Sequence, residues 1–450
     1  MAASFKKNSC AIAVPLFAAL IAPALQAQDA FSSQSDWMLG DWGGLRTQLQ
    51  EDGYDFNIQY TGEAASNVGG GYSSQVTGRY ADQLTLGSHL NLQKILGWDN
   101  ADFQLTVTER SGRNLTGEGV ADPRVGGLSS VQEVYGRGQT WRLTQLWYRQ
   151  SFFDGAFDVK LGRLGVGEDF GTFSCKFQNL AFCGAQAGDW AGDIIYNWPV
   201  SQWGGRAKFA LGADTYFQVG VYEQNPSNLE NTNAFKLNTS GEKGTLIPVE
   251  LVHKVTLGAD KLPGEYRIGG YYSTAKADDV YLAADGTPEP LSNAGFKSHN
   301  NKHGAWWVVQ QQVYKDASNA ARGLTLFSNA TVHDKATNKI DRYIQAGLFY
   351  TSPFDSRPND EIGFGVANIH VNNRFKDLEE LENTVSGADD YNDPSFIPPQ
   401  HSETSMELYY GFQVTKWLTV RPNVQYVVHP GGVNDVDNAW VAGLKFETTL

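Results

Sequence analysis

Tyr54-Asp55-Phe56-Asn57-Ile58-Gln59-Tyr60-Thr61 places an apolar or aromatic residue at every second position, and Glu63 continues the intervening polar set. Successive side chains of an extended strand point to opposite faces, so this period of two describes a ribbon with one apolar and one polar face. The pattern returns along the chain. Leu84, Leu86, Leu90 and Leu92 alternate with Arg79, Gln83, Thr85, His89 and Asn91; Phe103, Leu105 and Val107 alternate with Gln104, Thr106, Thr108 and Arg110. Phe217, Val219 and Val221 alternate with Tyr216, Gln218 and Tyr222, and Met406, Leu408, Tyr410, Phe412 and Val414 with Glu407, Tyr409, Gly411 and Gln413. Leu418–Val428 and Trp440–Leu450 repeat it.

An apolar sheet face can be covered by a second sheet, as in a secreted sandwich, or by lipid, with the polar face lining a lumen. The connections separate the two. Short turns at Gly97–Asn100, Asp154-Gly155, Gly212–Asp214, Gly258–Gly264, Asp316–Ala320, Ser352–Asp360 and Thr415–Trp417 alternate with connections that are mostly longer. The latter are Asn67–Gly78, Ser111–Thr140, Val166–Gly204, Asn225–Lys243, Ala277–His303, His333–Lys339, Asn373–His401 and His429–Val436. That asymmetry belongs to an outer-membrane barrel, with periplasmic turns and extracellular loops. Sixteen segments begin near 54, 79, 101, 141, 156, 205, 214, 244, 264, 304, 321, 340, 359, 402, 417 and 437. The expected fold is all-β, a transmembrane antiparallel up-and-down barrel of 16 strands; fourteen and eighteen are the neighbouring even counts. A barrel of that size leaves an aqueous channel where eight strands would be filled by side chains.

Composition agrees. Lys6 and Lys7 precede an apolar run, Ala11–Leu25, and Leu25-Gln26-Ala27 suits cleavage, so residues 1–27 read as a secretory signal peptide that carries Cys10 away. Residues 28–53 form an N-terminal periplasmic segment, in which Leu45 and Leu49 predict a short helix stopped by Gly53. Residues 54–450 form the barrel. No later apolar run approaches the ~20 residues of a spanning helix. With 49 acidic against 35 basic residues, the net charge of −14 argues against nucleic-acid binding.

Trp37, Gly40-Asp41-Trp42-Gly43-Gly44, Arg46, Leu49 and Gly53, followed by the first strand, form one motif. Gln145-Leu146-Trp147-Tyr148, Leu161-Gly162-Arg163 and Asp169-Phe170 form a second. Both resemble segments of the carbohydrate-selective porins (OprB type), and the strand spacing agrees over nearly the whole mature chain. Barrel-assembly signals usually end in an aromatic residue; Leu450 departs from that. The resemblance implies an outer-membrane porin of a Gram-negative bacterium for passive, selective diffusion of small carbohydrates such as glucose. It implies no chemical step and no cofactor. The implied partners are monosaccharides, outer-membrane lipid and lipopolysaccharide, and the barrel-assembly machinery during biogenesis, with the chain a monomer or homotrimer.

In sixteen-stranded porins the loop at the place of residues 166–204 folds inward and narrows the pore. Here it holds Phe170, Phe173, Phe177, Trp190, Trp198 and Asp169, with Cys175 and Cys183 expected as a disulfide stiffening the loop; two free thiols are the alternative. A sugar needs paired hydrogen-bonding groups for its hydroxyls and aromatic rings for its C–H faces. Arginine offers five donors in a fixed fork. Lumen parity selects Arg79, Arg110, Arg206, Arg421, Lys208 and Lys445, the acids Asp55, Glu63, Glu407 and Glu447, and the amides Gln59, Gln83, Asn91, Gln104, Gln145 and Gln425. Trp147 and Arg149 join Gln145 inside if Leu146, Tyr148 and Phe152 face lipid, and Arg163 points inward only with a bulge. The pore-lining candidates are Arg79, Arg110, Arg149, Arg206, Glu63, Gln83, Gln104, Gln145, Trp147 and Asp169. Their bland alternative is wall solvation and cross-strand pairing. Most of the 12 tryptophans are expected in interfacial girdles, although adjacent Trp306 and Trp307 must put one ring on each face.

Other classes have weaker support. A general or cation-preferring porin is favoured by the acidic charge. A barrel enzyme would need a catalytic constellation, yet only His299 and His303 of the 8 histidines lie close together, without a metal-ligand or nucleophile motif. A secreted sugar-binding sandwich would not explain the alternating loop lengths.

Overall fold

The computed structural model describes residues 28–450 apart from Val76 and Ala320; the expected signal peptide, 1–27, lies outside the described residues. The strands are β1 (Tyr54–Gly71), β2 (Gly78–Asn91), β3 (Ala101–Gly112), β4 (Trp141–Phe152), β5 (Phe157–Leu164), β6 (Gln202–Ala210), β7 (Thr215–Gln224), β8 (Gly244–Leu257) and β9 (Leu262–Ser273). They continue as β10 (Ala277–Ala283), β11 (Phe296–His299), β12 (Lys302–Lys315), β13 (Gly323–His333), β14 (Ile340–Thr351), β15 (Glu361–Val371), β16 (Ser402–Thr415), β17 (Leu418–Val428) and β18 (Asp437–Thr449). Sixteen of them close an antiparallel barrel in chain order: β9 pairs with β12, and β18 returns to β1. β10 and β11 form a separate hairpin inside the β9–β12 connection.

Alternation sorts the wall. Leu161, Val221, Ile268, Ile344, Leu408, Val424 and Leu444 are exposed on the outside, where a barrel presents apolar side chains to lipid. Closure pairs every strand edge, which the hydrocarbon layer requires. No described helix is long and apolar enough to cross a membrane.

Three local features depart from the simple alternation. β2 ends at Asn91 because its side chain accepts a hydrogen bond from Lys94 N and caps helix α2 (Leu92–Leu96), so Leu92, expected on the strand, opens a helix instead. A register shift sets Thr106 opposite Gln145 but Val107 opposite Leu143, a bulge that brings Thr144 to the lumen beside Gln145. The connection expected as loop at Asn373–His401 contains helix α4 (Asn373–Ser386), capped by Asn372 and ended by Gly387 in the left-handed conformation. Two further α-helices among the described residues are α1 (Leu45–Glu51) and α3 (Gln186–Trp190).

The N-terminal segment is tied to the seam between β1 and β18. Arg46 is buried and donates to the main-chain oxygens of Leu450, at 2.5 Å, and Phe56, at 2.6 Å. Its guanidinium lies 4.3 Å from the Trp37 ring and 5.1 Å from the Trp42 ring. Lys416 pairs with Asp36 at 3.0 Å, and Trp417 Nε1 donates to Ser32 O at 2.9 Å.

Candidate pore constriction

The β5–β6 connection folds into the barrel and divides the lumen. On one side it is packed. Phe170, Phe173, Phe177, Phe182, Trp190, Ile194 and Ile195 of the loop form a single core with the inward wall residues Tyr222, Leu246, Tyr271, Trp306, Phe327, Tyr343, Phe349, Ile369 and Tyr409. Ring centroids lie 5.1 Å apart for Phe173–Phe327, 5.0 Å for Phe177–Tyr409 and 5.1 Å for Trp190–Tyr343. At Gly365 even a Cβ would sit 2.8 Å from the Phe182 ring, so that ring requires a glycine opposite it. The aromatic parity break at Trp306-Trp307 resolves here: Trp306 is inside and donates to Glu250, while Trp307 faces out.

Carboxylates on the same wall fasten the loop's backbone. Glu407 accepts from Gln178 N at 2.9 Å and Asn179 N at 2.7 Å. Glu250 accepts from Gly171 N at 2.8 Å. Glu403 accepts from Leu128 N, Ser129 N and Gly431 N at 3.2, 3.1 and 2.7 Å, which holds the β3–β4 and β17–β18 loops. A backbone N–H buried without a partner is costly, so folding a loop into a pore demands such acceptors. Cys175 and Cys183 form a disulfide at the loop's tip.

On the other side a cavity of about 560 Å³ remains. Its wall is Asn57, Gln59 and Thr61 of β1, Gln83 and Thr85 of β2, Arg110 of β3, Thr144 of β4 and Glu447 of β18. Glu133, Tyr135 and Arg137 reach it from the β3–β4 loop; Glu168, Asp189, Asn197, Trp198 and the disulfide face it from the constriction loop. Gln83 Oε1 accepts from Arg110 Nε at 2.8 Å and from Trp198 Nε1 at 3.0 Å, which joins the wall to the loop through one amide oxygen. Arg110 Nη2 stands 3.8 Å from Glu133, whose other carboxylate oxygen accepts from Lys445 at 2.9 Å. Arg110 and Arg137 thus share the cavity lining with Glu133, Glu168, Asp189 and Glu447. Asp189 is held by Asn197 Nδ2 at 2.7 Å.

The candidate residues are dispersed over the lumen. Arg110 and Gln83 line the cavity. Gln104, Thr106 and Gln145 form a ladder with links of 2.9 and 2.6 Å along the wall. Below that ladder, Trp147 is inside with Lys160 Nζ 4.9 Å from its ring. Arg149, Arg206 and Asp169 gather in a second cluster: Arg149 binds Asp158 at 2.7 Å, Arg206 also binds Asp158, and Asp169 lies 2.7 Å from Lys160 and 3.4 Å from Arg206. This cluster fixes the start of the loop; none of its three candidates lines the cavity, although Lys160 also reaches the cavity-lining Glu168 at 3.5 Å. Arg79 ties to Glu118 at 2.6 Å, anchoring the β3–β4 loop. Glu63 has lumen parity but is fully covered, because Val134 N and Lys445 close over it at 3.2 and 3.4 Å. Arg163 keeps its outward parity and is buried against the β7–β8 loop, donating to Lys236 O and Ser201 O.

Glu133, Tyr135, Arg137 and Asn197 were not singled out by sequence. They lie in irregular loops, where a period of two carries no information; only the length of the β3–β4 connection hinted that it had somewhere to reach. His299, considered as a metal ligand, pairs with Asp279 at 2.9 Å in the extracellular layer.

The model of the carbohydrate-selective porin family, OprB, matches residues 75–450. The chain belongs to the carbohydrate-selective porin family. This porin is 60% identical over 427 residues to "Porin B" of Pseudomonas aeruginosa, covering 95% of this chain and 94% of that protein. It is 44% identical over 425 residues to "Putative porin QuiX" of Acinetobacter baylyi, covering 93% and 94%. A solved structure, "High pH structure of Pseudomonas putida OprB", superimposes with a TM-score of 0.92 at 59% identity, covering 94% of this porin and 100% of that chain. The family and these relatives are porins, channels of the Gram-negative outer membrane rather than enzymes.

Proposed function

We propose that this porin passes glucose-sized monosaccharides by passive diffusion through the cavity between the β1–β4 wall and the constriction loop, and that Arg110 is its principal sugar contact. The observation that carries the reading is the Arg110–Gln83–Trp198 unit. A forked cation, an amide and an indole converge there on one opening. Arg110 is held by a neutral amide at Nε, while Glu133 stands 3.8 Å from Nη2, so the guanidinium is positioned without being consumed by a tight ion pair. Trp198 supplies an apolar ring face for sugar C–H groups. A volume of about 560 Å³ falls within the usual ~300–1,000 Å³ range of small-molecule sites. The opening lies inside the closed barrel, so each barrel carries its own pore in either a monomer or a homotrimer. Phospholipid and lipopolysaccharide form its surroundings, and the barrel-assembly machinery inserts it.

A second reading, cation preference, is favoured by the net charge of −14 and by Glu133 and Glu447 at the opening. Zero-current potential in a potassium chloride gradient decides it: a value near zero rejects strong cation preference. For the sugar reading, glucose-dependent current block and liposome swelling are measured in wild type and Arg110→Ala. Weakened glucose block is expected; unchanged block and unchanged conductance would overturn the assignment.

A further inference from the structure

The sequence predicts a periplasmic N-terminal segment over residues 28–53. Its contacts place it on the outside of the barrel rim. Asn57 and Gln59 line the lumen cavity, so Phe56, next to Asn57 in the strand, points outward. The Trp42 ring lies 6.0 Å from the Phe56 ring. Glu447 lines the same cavity, so neighbouring Thr448 points outward, and its hydroxyl reaches Met38 Sδ at 3.8 Å. Met38 N also donates to Thr449 O at 2.8 Å. Buried Arg46 fastens this arrangement to both seam strands.

The segment thus covers part of the lipid-facing wall and presents its own apolar groups: Leu39 and Trp42 are 43% and 39% exposed. At the same short-turn end, Trp98 meets outward Tyr148, Phe152 and Phe157 stack, and Tyr410 meets Phe412. Those rings form the interfacial aromatic girdle of this rim. Trp42, packed on Phe56, extends it.

We propose that residues 37–45 form an interfacial collar docked into the periplasmic phospholipid leaflet of the outer membrane, with Leu39 and Trp42 at the boundary between head groups and acyl chains. Phospholipid is the partner because the exposed apolar groups are continuous with a surface that already meets lipid. The Trp42 ring packs against a residue of the barrel's outward face, the side that meets hydrocarbon rather than the aqueous periplasm.

The test uses the full porin in phosphatidylethanolamine–phosphatidylglycerol vesicles. Nitroxides are attached singly to Leu39→Cys and Trp42→Cys, with Leu444→Cys as a lipid-facing reference and Asp52→Cys as an aqueous one. Relaxation by oxygen and by a water-soluble nickel chelate is compared. Both collar sites are expected to favour oxygen several-fold over Asp52→Cys and to approach Leu444→Cys. Collar sites matching Asp52→Cys would overturn the proposal. If Trp42→Cys disturbs the Arg46 clasp, Leu39→Cys alone decides the outcome, because no contact of the clasp involves its side chain.

Discussion

The two halves of the lumen use the same kinds of residue for opposite purposes. Along β7–β16, inward aromatics interlock with the constriction loop, and wall carboxylates receive its backbone N–H groups. Along β1–β4, amides, hydroxyls and Arg110 remain beside a cavity. Parity alone makes Glu407 and Gln83 equivalent, since both point inward. What separates them is what arrives opposite: a loop that fills the space, or one that stops short of it. A carboxylate in this lumen is therefore first a candidate for fastening a loop, and an arginine held by a neutral amide is the better candidate for meeting cargo.

The contrast breaks most severely at Phe177, which is fully buried in the packed half. Phe177→Ala is expected to cost about 3–5 kcal/mol by transfer and cavity terms. It should lower the unfolding temperature and make single-channel current noisy as the loop loosens. Glu407→Ala removes the acceptor from Gln178 N and Asn179 N, at about 1–3 kcal/mol for each buried donor left unpaired. The expected signature is flickering conductance with glucose block largely kept, read in planar bilayers. Reducing the Cys175–Cys183 bridge should act in the same direction but less strongly, because Phe177 and Glu407 still hold the tip. Thiol titration alongside conductance checks it.

The smallest effect lies outside the pore. Burial pushes the Glu379 carboxyl of α4 up to about 7, against the stabilising N–H of Gln400 at 2.8 Å. A raised folded-state value favours the protonated form. The stability of this extracellular layer is therefore greatest below the ordinary value of 4.5 and falls as pH rises from there to about 7. Hydrogen exchange in α4 should be slower at pH 5 than at pH 8 after correction for intrinsic rates, and Glu379→Gln should remove most of that difference.

Much of this was legible in the sequence. Alternation at Tyr54–Glu63 and the unequal connections defined a sixteen-stranded barrel, because strand period and chain direction are local properties. The disulfide and the inward placement of Trp147 and Arg149 followed from loop position and parity. Depth did not follow. Glu63 and Gln83 share a lumen-facing pattern, yet one is sealed beneath Val134 and the other lines the cavity. Glu133 and Arg137 carried no periodic signal, and Thr144 was hidden by the bulge that turns it inward. Tertiary arrival of a loop decides all of these, and no local pattern encodes it.

The central claim is that the open half meets the sugar while the arginine cluster at the loop's start does not. Glucose titration of single-channel current in Arg110→Ala and Arg149→Ala tests it most directly. The account predicts strongly weakened glucose block in Arg110→Ala and near-normal block in Arg149→Ala. Equal loss in both, or loss confined to Arg149→Ala, would contradict it.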